Sequence, residues 1–383
     1  MELMTRSACA VCGGRPETVA ELPKLPLTAL FLPPDAPDTA PPVFDNALLY
    51  CPTCGHSQLR AIVPPEQLYG ADYSFRTGAS ATARRGVQWF VDGLPERRFD
   101  CALDVGCNDL HLLGALADRC DQRIGVDPLW RGREADVARD GITVLGATIE
   151  ELGADDLPAR PDLIVCRHTL EHVAEPAALL ARLVELAAPG ALFVFELPSL
   201  EPLVERLRFD QVFHQHLHYF SHASLLRLAQ AASLRAVGQR LNYHDWGALW
   251  VAFERGEAAE LPPPPFEPRH LRRRRTRFAL HMGAVGRIIE ELAPGPVVGY
   301  GAGQMLPVLA YHLGSDLRQL QAVIDDDPAK DGWRYANLPL TIRRGPVPDG
   351  AAVVITAVDN AAPILARLLA ERPGRIVYPL AVL

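Results

Sequence analysis

Two short cysteine pairs constrain this chain more than any other feature: Cys9-Ala10-Val11-Cys12-Gly13 and Cys51-Pro52-Thr53-Cys54-Gly55. A gap of two residues lets both thiolates of one turn reach a single ion. The glycine after each pair gives the backbone the freedom a knuckle needs, and two knuckles complete a tetrahedral sulfur shell suited to zinc. Such a shell is closed to substrate, so Cys9, Cys12, Cys51 and Cys54 are expected to hold a structural Zn2+. Disulfides are the competing reading. The start, Met1-Glu2-Leu3-Met4-Thr5-Arg6, lacks a secretory apolar stretch, which points to a reducing, cytoplasmic setting where disulfides rarely persist. The other cysteines, Cys101, Cys107, Cys120 and Cys166, lack this spacing and are expected to be small buried hydrophobes. The proline-rich stretch from Pro23 to Pro42 between the knuckles is expected to be an irregular loop closed by the metal.

At 383 residues the chain is long enough for two or three domains. The expected division is a zinc-binding unit over 1–75, a central unit over 76–260 and a last unit over 261–383, with Pro262 to Pro265 as the linker before the last. No window has the roughly 18 uninterrupted apolar residues of a spanning helix, so no membrane partner is expected. With 38 basic against 46 acidic residues, a nucleic-acid partner would have to rely on a local patch. One run qualifies: Arg269, Arg272, Arg273, Arg274, Arg275 and Arg277, read as a solvated helix face in preference to a phosphate contact.

From Phe99 onward, short apolar runs alternate with alanine- and leucine-rich amphipathic stretches, the pattern of an α/β unit with a largely parallel sheet. Cys101 to Val105 reads as a buried strand ending in Gly106-Cys107-Asn108-Asp109, with a helix beginning at Leu112. In doubly wound sheets nucleotide-like ligands bind beyond the carboxyl ends of the strands, and Gly106 allows the backbone to approach closely. The second strand, Arg123 to Val126, ends in Asp127, where a carboxylate accepts from ribose hydroxyls. The dinucleotide fingerprint needs three glycines and this turn has one, so NAD is disfavoured. Further strands, Leu163 to Val165 and Ala191 to Phe195, run into Arg167-His168-Thr169-Leu170-Glu171-His172 and Glu196-Leu197-Pro198.

These segments, Asp104 to Asp109, Arg167 to His172 and Glu196 to Pro198, with the paired knuckles upstream, resemble bacterial sugar C-methyltransferases that act at carbon 3 of nucleotide-linked 4-keto-6-deoxysugars. The resemblance covers nearly the whole chain and includes Asp72 to Phe75, Phe209 to Phe220 and Gly299 to Ala302. It implies a class I S-adenosylmethionine domain of Rossmann-like fold between an N-terminal zinc domain and a second Rossmann-like domain. It also implies that Asp104, Gly106 and Asn108 border the cofactor, that Asp127 holds its ribose and that His168 sits beside it. Leu110 departs from the family, which usually has glycine there.

Phe209 to Phe220 packs His214, His216 and His218 into five residues among aromatics. Methylating a carbon beside a ketone requires removing a proton, and a histidine poised near neutral pH suits that transfer. His216 is the expected base, with Tyr73 or His214 as partners. The family usually reads tyrosine, histidine, glutamate, histidine where this chain has Phe213, His214, Gln215 and His216. Glutamine cannot ionise to stabilise an imidazolium and phenylalanine cannot donate to an oxyanion. A metal site on His214, His216 and His218, as alternate residues of one strand, is the disfavoured reading because only Asp210 is near to complete it.

In the last unit Val297 to Tyr300 reads as a strand leading into Gly301-Ala302-Gly303, a second Rossmann-like start without a dinucleotide fingerprint. The backbone amides of Gly301 to Gly303 are read either as an anion holder or as a plain tight turn. The family's lysine after this run is absent; the chain has Gln304-Met305. The leading expectation is carbon methylation of a small sugar-like acceptor, with a nucleotide-linked deoxy-ketosugar as the candidate that the resemblance implies. O- or N-methylation of another small molecule and a noncatalytic binding module are the alternatives.

Overall fold

The computed structural model describes residues 3–38, 40–68, 77–79, 81–137, 139, 141–242, 247–257, 260–292 and 295–380. The N-terminal region builds a small antiparallel sheet from β1 (Glu17–Pro26), β2 (Val43–Tyr50) and β3 (Ser57–Leu59), extended by the short strand His218–Tyr219. The first four residues of the expected proline loop, Pro23 to Pro26, are therefore strand. Pro23 and Lys24 fall in a register shift between Leu22 and Leu25, where a missing ladder donor costs little, and both leucines turn into the core.

The central sheet has the order β9-β10-β8-β7-β4-β5-β6, formed by β4 (Phe99–Val105), β5 (Cys120–Val126), β6 (Ile142–Leu145), β7 (Leu163–Arg167), β8 (Leu192–Pro198), β9 (Leu234–Asn242) and β10 (Ala248–Arg255). The five strands β4 to β8 pair in parallel, while β10 runs antiparallel to both β8 and β9. Residues such as Leu103, Ile164, Val165 and Phe193 are wholly buried, as expected for strands covered on both faces. The chain leaves β4 toward β5 and β6 on one side, then returns to β7 and β8 on the other. This opens a crevice between the carboxyl ends of β4 and β7.

The last sheet, β13-β12-β11-β14-β15, is entirely parallel: β11 (Val297–Tyr300), β12 (Val323–Ile324), β13 (Ile342–Arg343), β14 (Ala352–Ile355) and β15 (Arg375–Val377). It shares a core with the N-terminal sheet. Leu25, Leu48 and Tyr50 join Phe209, Val212, Tyr219, Phe278, Leu306 and Val323 in one apolar cluster. The segment 264–266 is fastened to the second knuckle: Tyr50 Oη donates to Phe266 O at 2.6 Å, and a Cβ on Gly55 would lie 2.7 Å from Pro265. The arginine run lies on the long helix Pro268–Glu290, but it is not simply solvated. Arg272 pairs with Glu17 at 2.6 Å, and Arg274 donates to Val204 O at 3.0 Å, clamping the helix to β1 and to the helix Leu200–Glu205. Among the described residues no helix is long and apolar enough to cross a membrane.

Candidate active site and metal centre

The two knuckles meet. Cys9 Sγ lies 3.6 Å from Cys54 Sγ and Cys12 Sγ lies 3.5 Å from Cys51 Sγ, and all four sulfurs fall within 4.8 Å of one another. A tetrahedral ion with metal–sulfur bonds of about 2.3 Å requires sulfurs about 3.8 Å apart, so the set fits zinc. The local reason is repeated in each knuckle. Gly13 N donates to Cys9 O at 2.9 Å and Gly55 N to Cys51 O at 2.8 Å, with both glycines in the left-handed region at φ +69 and +76.

At the end of β4 the backbone is strained where the sequence places its cofactor turn. Gly106, Asn108 and Leu110 have φ of +79, +46 and +63, and His168 at the end of β7 has +50. Left-handed non-glycine residues cost on the order of 1–3 kcal/mol each and gather at ligand sites. A Cβ on Gly106 would lie 2.3 Å from Thr169 Oγ1, so only glycine passes between these two strand ends. Asp127 braces the turn: its Oδ2 accepts from Asn108 N and its Oδ1 from Leu129 N, both at 2.9 Å, which leaves each oxygen a further lone pair for a ribose hydroxyl. Leu110 does not close the crevice; its side chain is fully buried in the cluster of Cys107, Leu113 and Trp130. Asp104 is buried at the foot of the crevice, and burial followed by the charge of Asp127 raises its pKa to about 7.

Across the turn lies a buried polar wall that the sequence reading quoted but gave no role beyond His168. Arg167 Nε lies 2.8 Å from Glu196 Oε1; His168 reaches Glu196 Oε1 at 3.1 Å and Glu171 Oε1 at 3.4 Å. A Cβ on Gly86 would lie 2.4 Å from Arg167 Nη2, so the helix Ala81–Val91 needs that glycine to admit the guanidinium. Burial pushes the Glu171 pKa upward, yet His168 and then His172 bring it down to about 2.

The histidine segment is not a strand until His218, so the three rings do not share one face. His214 is buried, with Nδ1 3.3 Å from Asn46 Nδ2 and Nε2 3.0 Å from Leu25 O. His218 sits between His56 Nε2 and Val173 O, each at 3.0 Å. Only His216 turns to the wall, its ring centroid 4.8 Å from that of His172 and 4.2 Å from that of Phe213. The structure thus brings His216 to Glu171 and His172, not to His214, whose nitrogens hold the segment onto the N-terminal sheet. Gln215 likewise accepts from Thr28 Oγ1 at 2.5 Å. Tyr73 lies outside the described residues. In the last unit the amides of Gly301, Ala302 and Gly303 are already spent on Ile324 O, Asp325 Oδ2 and Gly301 O. The Asp325 carboxylate occupies the place an anion would take, so the plain-turn reading stands.

Residues 78–239 match the methyltransferase domain family and residues 9–69 match a zinc binding domain. C-methyltransferase NovU of Streptomyces niveus is 25% identical over 349 residues, covering 85% of this chain and 82% of NovU. The chain is an enzyme with an S-adenosylmethionine-dependent methyltransferase domain at residues 78–239. The resemblance to the sugar C-methyltransferases with an N-terminal zinc domain is borne out by this pair of domains and the length of the match. The ubiquinone biosynthesis O-methyltransferase of Methylococcus capsulatus is 36% identical over 98 residues, 24% of this methyltransferase and 41% of that protein. The N-methyltransferase NodS of Bradyrhizobium japonicum, solved with S-adenosyl-L-homocysteine, aligns with a TM-score of 0.39 and 18% identity over 49% of this chain and 93% of NodS.

Proposed function

We propose that this methyltransferase transfers the methyl group of S-adenosylmethionine to a ring carbon beside the ketone of a nucleotide-linked deoxysugar. The observation that carries the reading is the pairing of the strained Gly106–Leu110 turn and Asp127 with the polar wall of Glu171, His172 and His216 at the same strand ends. The match to a C-methyltransferase across most of both chains supports the choice of carbon. When bound, the sulfonium cofactor supplies an electrophilic methyl group. In this proposal Asp127 holds the ribose hydroxyls, Asp104, Gly106, Asn108 and His168 border the cofactor, and His216 meets the acceptor. Residues 1–75 hold the zinc, 76–260 the donor and 261–383 the far side of the acceptor.

Burial, and then the neighbouring His172, lowers the His216 pKa to about 3, so its imidazole is neutral throughout the working range and a weak base for a carbon acid. Proton removal at this wall therefore calls for a carbonyl polarised from another side. With a 4-keto-6-deoxysugar nucleotide deuterated at carbon 3, the product is expected to gain a methyl group and lose the deuteron. His216→Asn is expected to lower turnover roughly 100-fold or more with cofactor affinity unchanged. A product that keeps the deuteron and carries a methyl ether or amine would instead establish O- or N-transfer.

A further inference from the structure

Glu171 lies on the single turn Leu170–His172 that follows β7 and is 1% exposed. Among the described residues no arginine or lysine pairs with it; its close nitrogen neighbours are His168 Nδ1 at 3.4 Å and His172 Nε2 at 4.0 Å, whereas Glu196 has the Arg167 guanidinium at 2.8 Å. Among the same residues neither carboxylate oxygen of Glu171 accepts a hydrogen bond of ordinary geometry. A carboxylate buried this deeply is costly unless donors or positive charge face it. The loop carrying His216 is tied to the same turn twice, by Leu217 N donating to Glu171 O and by His172 Nδ1 donating to Gln215 O, both at 2.8 Å. These bonds bring a ring nitrogen of His216 within 4.8 Å of a Glu171 carboxylate oxygen. The ring is held from two sides: His172 stands edge-on to it at an interplanar angle of 83°, and Phe213 packs with its centroid 4.2 Å away. His216 is half-buried, while Glu171 is closed to solvent.

We propose that Glu171 is the positioning residue for His216: it accepts a hydrogen bond from one ring nitrogen and stabilises the imidazolium that forms when the other nitrogen takes a proton from the acceptor carbon. The inference rests on the carbon-methylation reading above. In this step the acceptor C–H bond breaks, the proton goes to His216, and the electron pair spreads onto the adjacent carbonyl as an enolate; His216 later gives the proton to water. An opposite charge within about 4–6 Å favours the protonated imidazole, and the attraction is strongest where water is excluded. The gap between ring and carboxylate closes to hydrogen-bond distance when the acceptor binds, as catalytic hydrogen bonds that are long in a free enzyme commonly do. A carboxylate only accepts, so the N–H held on Glu171 fixes the tautomer and leaves the second nitrogen's lone pair for the incoming proton. Gln215, next to His216, does not serve in this way: it is uncharged, and its Oε1 accepts from Thr28 Oγ1 at 2.5 Å. Glu171 thus acts on the base, and polarisation of the carbonyl acts on the acceptor.

The test uses the zinc-loaded full-length chain, S-adenosylmethionine and a 4-keto-6-deoxysugar nucleotide carrying hydrogen or deuterium at carbon 3. Glu171→Gln keeps the size of the side chain and removes its charge. The expected result is a kcat lowered at least about 100-fold, a KM for the acceptor changed less than about threefold, and a larger deuterium isotope effect on kcat, because proton removal becomes the slow step. Glu171→Gln combined with His216→Asn is expected to lose no more than the worse single variant, as residues acting as one unit do. Near-ultraviolet circular dichroism establishes that the variants are folded. A measurement on the wild type alone needs no variant to fold: with S-adenosylhomocysteine bound, the nitrogen NMR shifts of the His216 ring are expected to show a single tautomer. Unchanged kcat in Glu171→Gln, a loss with an unchanged isotope effect, multiplicative losses in the double variant, or two tautomers in the wild type overturns the proposal. A wild-type product that keeps its deuteron overturns the carbon-methylation reading and this inference with it; a wild type that loses the deuteron beside full turnover in Glu171→Gln overturns this inference alone.

Discussion

Replacing Cys51 by serine is expected to strip the chain of its zinc and to unfold the N-terminal sheet together with the segment that carries His216. Cys51 is fully buried at the end of β2, and the residues before it, Leu48 and Tyr50, sit in the apolar cluster shared with Phe209, Val212 and Tyr219. Structural zinc sites contribute apparent binding energies of about 10–16 kcal/mol that act as folding energy. Losing even 5 kcal/mol of that lowers a melting midpoint by roughly 10–20 °C. The effect should reach the active site, because His214 bonds to Leu25 O and Asn46, and Gln215 to Thr28, on the zinc-held sheet. Metal analysis should find the wild type carrying one zinc in this shell and the variant none, with early proteolysis of the variant before residue 60. A variant with full zinc content and an unchanged midpoint would remove the structural role.

The second large effect is acid sensitivity that starts near neutral pH. Burial first, and then nearby positive groups, depress His216, His218 and His312 to about 3, from an unfolded value of about 6.5. Below pH 6.5 the unfolded chain takes up protons that the folded rings refuse, so their stabilisation is complete above that pH and is lost as the pH falls toward 3. Asp104, raised to about 7, works in the opposite sense: its contribution is present at low pH and disappears as the pH rises through 7, which cancels one proton between pH 4 and 6.5. The net loss is on the order of 3 kcal/mol per pH unit around pH 5. Glu171, lowered to about 2, adds a further loss only below about pH 4.5. Guanidinium unfolding at pH 7.5, 6.0 and 5.0 should show this slope; a flat profile would mean that the rings protonate in place.

The parts of the molecule legible from the sequence are those governed by local rules. Cysteine spacing with trailing glycines identified the sulfur shell, and apolar runs ending in polar residues located β4, β5, β7 and β8 to within a few residues. The proline stretch misled because bulges let Pro23 sit inside a paired strand. The three histidines looked equivalent because alternation on a strand was assumed, whereas a turn at His214 and Gln215 sends each ring to a different neighbour. Glu171 was invisible as a site residue for a related reason: its role depends on a loop some forty-five residues later being tied back to its own turn. The one local signal was its i+3 spacing from His168.

The central claim is that the crevice bordered by the Gly106–Leu110 turn and Asp127 holds S-adenosylmethionine. Calorimetric titration of the full-length chain with S-adenosylhomocysteine tests it most directly. One site per chain is predicted, with affinity reduced on the order of 10- to 100-fold in Asp127→Ala as charge-assisted bonds to the ribose are lost. A wild-type chain that binds none of this ligand, or binds it as tightly in Asp127→Ala, would contradict the account.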